Sequence, residues 1–286
     1  MPFSSSYKGS KETKYLFIDG GFLRVLRKKF SNYFLDGNDL ELDYSRIRAE
    51  HTKVFYYDAL PKKREKEKDA AFADRVEQAK KEFARIQSQN YVHSRIGAID
   101  GNVNEGVSQK GVDVRLTVDA LLHSIRGNTR NVTIFTSDSD YIPLLSALVE
   151  NGVNVTLMYD PQKANDFLIR SADISTPITV NLFSTYLLEK DKLLFNSYTN
   201  GITFANRGGL SAAPPKSVCK ENIDENGIRY KFLQLGKTYY CERYENESKR
   251  YIGVTAYKDF EKLFCDIQWH NWLKREQLEK IKFSYL

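Results

Sequence analysis

NVTIFTSDSDY, residues 131–141, is an apolar, β-branched run that ends in two aspartates. Val132, Thr133, Ile134 and Phe135 read as a buried strand of a parallel sheet. Such strands carry near-continuous apolar runs because helices cover both faces. Asp138 and Asp140 follow at once. Open α/β sheets bind ligands beyond the carboxyl ends of their strands, so both acids stand where a site is expected. Paired carboxylates there lose solvation and repel one another, and a divalent cation is the commonest compensation.

The same pattern recurs near the amino end. Tyr15, Leu16, Phe17 and Ile18 form a short apolar run that stops at Asp19-Gly20-Gly21. The glycines permit a tight turn and close approach of backbone to a ligand. A basic helix is expected over residues 22–30. Residues 36–50 are irregular and polar. Residues 53–60, KVFYYDAL, read as a second strand closed by Pro61. Phe72, Val76, Ala79, Phe83 and Ile86 then recur at spacings of three and four, the mark of an amphipathic helix. Its charged remainder reads as a solvated face, with polyanion contact at Lys62-Lys63-Arg64 as the alternative. Residues 91–99 are expected to form a strand and 100–109 a polar loop.

A helix is expected from Asp113, with Val114, Val118, Leu121, Leu122 and Ile125 as its apolar stripe. Asp113 sits at the helix start, where the positive end of the dipole favours its charge. An N-cap role explains it equally well by itself. Asp119 is turned about 120° from Asp113 on the helical wheel, which makes it a weaker metal candidate by spacing. Past Tyr141 come a helix at 143–151 with Gly152 as its stop, a strand at 153–158, a short helix at 166–170 and a weaker strand at 172–180. Strands alternating with helices imply an α/β fold, a Rossmann-like parallel sheet flanked by helices.

The character changes after residue 200. Four segments are expected: a disordered amino terminus at 1–13, the α/β domain at 14–200, a Gly-, Ser-, Ala- and Pro-rich linker at 201–218, and a small α+β module at 219–286. Strands are expected at 228–234, 237–244 and 250–256, then a helical tail at 258–282 carrying Trp269 and Trp272. Aromatic and basic residues interleave over 228–256, as in Arg229-Tyr230-Lys231-Phe232 and Tyr239-Tyr240 with Arg243-Tyr244. That pattern suits a single-stranded nucleic-acid platform or an ordinary antiparallel sheet with one wet face. A third use is contact with a regulatory protein, or self-association to a homo-oligomer through the Trp269/Trp272 helix.

Bulk properties set the bounds. The 286 residues suffice for one large domain or two modest ones, and 41% hydrophobic with 28% charged content is ordinary for a soluble chain. A net charge of +6 permits a polyanionic partner without demanding one. The three cysteines, Cys219, Cys241 and Cys265, are far apart and odd in number, which argues against a disulfide framework and for a reducing cytoplasm. The first residues hold no apolar core of a secretory signal, and no run reaches the roughly 18 apolar residues of a membrane span.

Taken together, Asp19, Asp113, Asp138 and Asp140 are expected to cluster on one edge of the sheet, with no matching set of His or Cys. Hard oxygen ligands without imidazole or thiolate favour Mg²⁺ or Mn²⁺ over zinc. That is the donor set of phosphodiester hydrolysis. His51, His93, His123 and His270 lack ligand spacing. Ser137 and Ser139 lack a nucleophile elbow, and Gly20-Gly21 is neither a Walker loop nor a dinucleotide fingerprint. A phosphorylated or nucleophilic Asp19 would want a second acid where Gly21 stands.

Three motifs in order carry a family likeness: Asp19-Gly20 after a strand, Lys110-Gly111-Val112-Asp113 opening a helix that continues to Asp119, and Ser137-Asp138-Ser139-Asp140-Tyr141 before a proline-containing helix. Over about residues 12–180 the chain resembles the NYN domain family, PIN-like nuclease domains of the LabA-like type. The resemblance implies a PIN fold, a divalent metal, Mg²⁺ or Mn²⁺, and cleavage of RNA, single-stranded RNA above all. It makes Asp19, Asp113, Asp138 and Asp140 the catalytic and metal-holding acids and adds Asp119 as a further acid. Lys110, Gly20 and Ser137 become substrate-binding residues. The family's first motif often continues to an asparagine, where this chain has Gly21 and Phe22. Two other functions stay open: a non-catalytic RNA-binding or scaffold protein that retains the fold, and a structure-specific DNA nuclease.

Overall fold

Phe17, Ile18, Val132, Ile134, Val155 and Leu157 are all essentially removed from solvent, and each such side chain contributes roughly 1.5–3 kcal/mol of burial. They belong to the parallel sheet expected from the apolar runs. The computed structural model describes residues 13–96, 111–199 and 212–285. The sheet comprises β1 (Lys14–Asp19), β2 (Lys53–Asp58), β3 (Val92–Ile96), β4 (Asn131–Phe135), β5 (Asn154–Tyr159) and β6 (Ile174–Pro177). All pairings are parallel and the order is β3-β2-β1-β4-β5-β6. The chain therefore moves outward from β1 on one side, then returns beside it and moves outward on the other. Between β1 and β4 lies the topological switch point, where open sheets place their sites.

Helices α1 (Gly20–Phe34), α2 (Tyr44–Arg48), α3 (Asp69–Gln87), α4 (Val112–Ile125), α5 (Ile142–Glu150), α6 (Asp166–Arg170), α7 (Val180–Thr185) and α8 (Glu189–Thr199) fill the connections. The segment expected to be irregular at 36–50 contains α2, which buries Tyr44 and Ile47. Of the disorder expected at 1–13, all but Thr13 lies outside the described residues, as do the strand extension at 97–99 and the loop at 100–109; Thr13 is ordered, donating its hydroxyl to the Asn128 carbonyl at 3.0 Å.

Helix α4 corrects the sequence reading. Its buried residues are Val112, Leu116, Ala120 and Ser124. Val114, Val118, Leu122 and Ile125, expected to face inward, are exposed by 65%, 46%, 38% and 69%; of the expected stripe, Leu121 packs against the core. The helix is apolar on two sides, so periodicity alone could not choose between them. The small Ala120 and Ser124 allow the buried row to approach its neighbours closely, and the Ser124 hydroxyl donates to the Ala120 carbonyl at 2.9 Å.

The chain divides into two compact units, residues 1–26 with 44–177 and residues 27–43 with 178–286. These cut the chain elsewhere than its composition does. The second unit is gathered by aromatic side chains. Trp269 is fully buried, lies within 6.0 Å of the Phe30 and Phe183 rings, and donates its indole N–H to the Ile178 carbonyl at 2.8 Å. Phe195 and Tyr257 pack on Phe34 in the same cluster. Trp269 is thus a core residue, which corrects its expected use in self-association: a partner cannot reach it.

The second unit also holds β7 (Val218–Glu225), β8 (Ile228–Leu235), β9 (Thr238–Glu245) and β10 (Tyr251–Tyr257), an antiparallel meander, followed by α9 (Phe260–Trp269) and α10 (Arg275–Tyr285). Strand β7 was missing from the sequence reading because CKENIDE is too polar to announce itself. The β7–β8 turn is Asn226-Gly227, with φ of 49° and 77°, the pair most typical of two-residue hairpins. The helical tail expected as one piece breaks after Trp269, where Asn271 adopts φ 54°.

The interleaved aromatic and basic residues are largely engaged. Tyr230, Phe232 and Tyr240 are buried, Arg229 pairs with Asp224, and the Arg243 guanidinium lies 3.9 Å from the Trp272 ring centroid. All three cysteines are free, and burial pushes the Cys241 thiol up to about 12. Among the described residues no helix is long and apolar enough to cross a membrane.

Gly20 has a steric explanation. A Cβ there would lie 2.6 Å from the Tyr56 ring and 2.7 Å from the Asp58 side chain. Gly20→Ala is expected to cost roughly 1–3 kcal/mol through overpacking, seen as a lower urea midpoint at constant slope. An unchanged midpoint would mean that Tyr56 yields freely.

Candidate active site

Strand β1 ends at Asp19 because the turn into α1 begins there. The Asp19 Oδ1 accepts the Phe22 amide at 3.0 Å, and its Oδ2 accepts the Thr136 hydroxyl at 3.0 Å. Thr136 is fully buried and directly follows β4. Its hydroxyl oxygen also accepts the Asp138 amide at 3.2 Å. Asp138 in turn caps the short 3-10 turn Ser139–Tyr141, its Oδ1 accepting the Asp140 amide at 2.9 Å. From that turn Tyr141 reaches across and donates its hydroxyl to Asp113 Oδ1 at 2.9 Å. Asp113 stands in the first turn of α4, just after Gly111 in a left-handed conformation at φ 106°. One hydroxyl and one phenol thus tie three separate chain segments together.

Asp19, Asp113 and Asp138 line a single open cavity of about 430 Å³, together with Ser137, Gly21 and Phe22. Asp58 and Asp160 also reach its wall. The Asp19 carboxyl is raised above its ordinary value, first by burial and then by the charges of Asp113 and Asp138, against the lowering effect of the Phe22 and Thr136 hydrogen bonds. Burial, with Asp19 and Asp113 nearby, raises the Tyr141 phenol far above its usual range, so it remains an O–H donor.

Other predicted residues stand apart. Asp140 is exposed and does not line the cavity; it lends Asp138 its backbone amide. Asp119 accepts the Tyr57 hydroxyl at 2.9 Å and has Arg95 at 3.8 Å, also outside the cavity lining. Gly20 is packed on Tyr56, while Gly21 lines the cavity. Ser137 lines it too, and its Oγ accepts the Asp160 amide at 2.9 Å. Lys110 lies outside the described residues.

Sequence reasoning missed Asp58, Asp160, Thr136, Tyr141 and Lys163. Asp58 closes KVFYYD and Asp160 follows NVTLMY, the same strand-then-acid signal that marked Asp19. The two acids differ in their partners. Asp58 is 4% exposed and held by the Arg24 guanidinium, the Tyr56 hydroxyl and the Ala59 amide. Asp160 is 1% exposed and accepts the Gln162 amide at 2.9 Å.

Among the described residues, no three His, Cys, Asp or Glu side chains converge closely enough to hold a metal ion by themselves. The donor chemistry still fits a hard divalent cation. Mg²⁺ takes one or two carboxylates directly and completes its shell with water and substrate oxygen. Asp19, Asp113 and Asp138 offer oxygen alone, across a cavity with room for those waters; Asp19 is raised first by burial and then by the charges of Asp113 and Asp138, and a cation would relieve both. The histidines play no part here. Burial lowers His51, His93 and His123, and His123 packs against the Tyr15 and Phe55 rings.

No curated protein matches the sequence. Among solved structures, a protein of unknown function from Vibrio parahaemolyticus is similar at a TM-score of 0.41 and 16% identity, over 62% of this chain and 97% of that one; a likeness so slight carries no argument. The family model of the NYN domain matches residues 15–179. That span exceeds half the chain, runs from the first strand past β6 and contains every residue of the cavity, so the protein belongs to the NYN domain family.

Proposed function

We propose that the protein is a divalent-metal-dependent endoribonuclease that hydrolyses phosphodiester bonds in single-stranded RNA. One observation carries the reading. Asp19, Asp113 and Asp138, from a strand end, a helix start and the loop after another strand, line one cavity at the switch point, at a cost visible in the raised Asp19 carboxyl. Clustered, mutually repelling carboxylates do nothing for a protein that only binds a polyanion. They serve a site that must hold a Mg²⁺ or Mn²⁺ ion. Membership of a family of PIN-like nuclease domains points the same way.

Asp19, Asp113 and Asp138 would hold the cation, which when bound acidifies water and neutralises charge on the phosphate. The protein's own part is orientation. Thr136 fixes Asp19, the Asp140 amide fixes Asp138, and Tyr141 fixes Asp113. Asp140 and Asp119 act from outside the cavity, and Phe22 offers a ring on which a base can stack. The three free cysteines suit a reducing cytoplasm. No described contact distinguishes ribose from deoxyribose, so single-stranded RNA rests on the family likeness.

Labelled RNA and DNA oligonucleotides digested side by side with Mn²⁺ test the reading. RNA should be cleaved faster, EDTA should stop the reaction, and Asp138→Asn should lose at least about a hundredfold in rate, as expected when several kcal/mol of metal-borne stabilisation is removed. Equal cleavage by Asp138→Asn would overturn the site. Faster cleavage of DNA would replace RNA as the substrate, and RNA binding that ignores EDTA with no cleavage would favour a scaffold.

Tyr141→Phe removes one hydroxyl and should weaken Mn²⁺ binding several-fold, about 1 kcal/mol for a hydrogen bond to a carboxylate, as read by calorimetry. Unaltered Mn²⁺ affinity would deny Tyr141 its orienting part.

Asp19→Asn tests the cost of a buried, crowded carboxylate through stability. A carboxyl raised by folding favours the folded state at pH below its unfolded value and loses that contribution as pH rises through its folded value. Metal-free Asp19→Asn should therefore be more stable than wild type near neutrality. The gap should close as pH falls through the folded pKa of Asp19 toward the ordinary carboxylate value. Urea titrations at several pH values measure it; a variant less stable at every pH would contradict the assignment.

A further inference from the structure

A cavity lined by five aspartates repels a polyanionic substrate unless a cation receives it. Among the described residues Lys163 is the cationic side chain lining this cavity. It stands in the turn after β5, outside the three family motifs. The turn is anchored. The Lys163 and Ala164 amides donate to the Asp160 carbonyl at 3.0 and 3.1 Å. The Asp160 amide donates to Ser137 Oγ at 2.9 Å, and the Gln162 amide to Asp160 Oδ1 at 2.9 Å. The backbone under Lys163 is therefore tied to the residue next to Asp138.

Lys163 is exposed, and its side chain makes no hydrogen bond or ion pair to another described residue. Arg24, the other cation close to this wall, is committed to Asp58. We propose that Lys163 is the substrate-anchoring residue of the site and holds a backbone phosphate of the single-stranded polynucleotide beside the carboxylates. This rests on the nuclease reading given above. A lysine suits the task because it acts as a compact charge on a flexible stem and follows a phosphate without demanding one geometry.

The experiment is a salt titration of binding. A fluorescein-labelled single-stranded RNA of about a dozen nucleotides is bound by the full chain in Ca²⁺ at several KCl concentrations, for wild type, Lys163→Gln and Lys163→Arg. Each phosphate contact to a single strand contributes about 0.7 to the slope of log affinity against log salt. Lys163→Gln should lower that slope by about 0.7 and weaken low-salt binding by about three- to tenfold, while Lys163→Arg retains both. In cleavage assays the Gln variant should raise KM by a larger factor than it lowers kcat. An unchanged slope and affinity in Lys163→Gln, with wild type still binding and cleaving RNA, overturns the anchoring role and leaves the nuclease reading standing. A wild-type chain that neither binds nor cleaves RNA overturns both.

Discussion

The site depends on the pairing of β1 with β4. Their parallel register sets Ile18 beside Phe135 and Phe17 beside Ile134, so the next residues out, Asp19 and Thr136, emerge side by side. Thr136 is fully buried and spends its hydroxyl on Asp19. Its oxygen then receives the Asp138 amide. A one-residue slip in either strand would turn these side chains to the opposite face. The apolar burial that fixes register therefore also fixes the spacing of two carboxylates that would otherwise separate.

Helix α4 supplies the third acid, and its packing shows how a core decision becomes a functional one. The row Val112, Leu116, Ala120 and Ser124 faces inward. That choice puts Asp113 at the cavity and leaves Asp119 to receive the Tyr57 hydroxyl. Had the bulkier row of Val114, Val118 and Ile125 been buried instead, the helix would be turned and Asp113 would point elsewhere. Tyr141 completes the arrangement from the far side, in the turn that Asp138 itself caps. Asp113 and Asp138 are thus held from the Ser139–Tyr141 turn, and Asp19 by a residue that strand register places beside it.

The second unit obeys a different rule. Its cohesion comes from large rings, with Trp269 surrounded by Phe30, Phe34 and Phe183. Residues 27–43 and the segment after residue 178 join it because their aromatic side chains are buried there, whatever their distance along the chain. Much of the aromatic and basic content of its sheet is consumed in the same way, by burial and by the Arg243–Trp272 contact.

The sequence alone determined the parallel α/β class and most strands of the parallel sheet, and it marked Asp19, Asp113 and Asp138 as acids at strand ends and a helix start, because buried strands and helix starts leave local marks; β7, polar throughout, left none. Asp58 and Asp160 carried the same mark in KVFYYD and NVTLMYD. Only tertiary structure gave them different partners on the same cavity wall, an arginine for Asp58 and the Gln162 amide for Asp160. Which of Asp138 and Asp140 faces the cavity, which side of α4 is buried and where Trp269 goes were likewise decided by packing. Periodicity states that a helix has an apolar side but not which of two it buries, and a carboxylate's neighbours depend on strand order and register, which join residues more than a hundred positions apart.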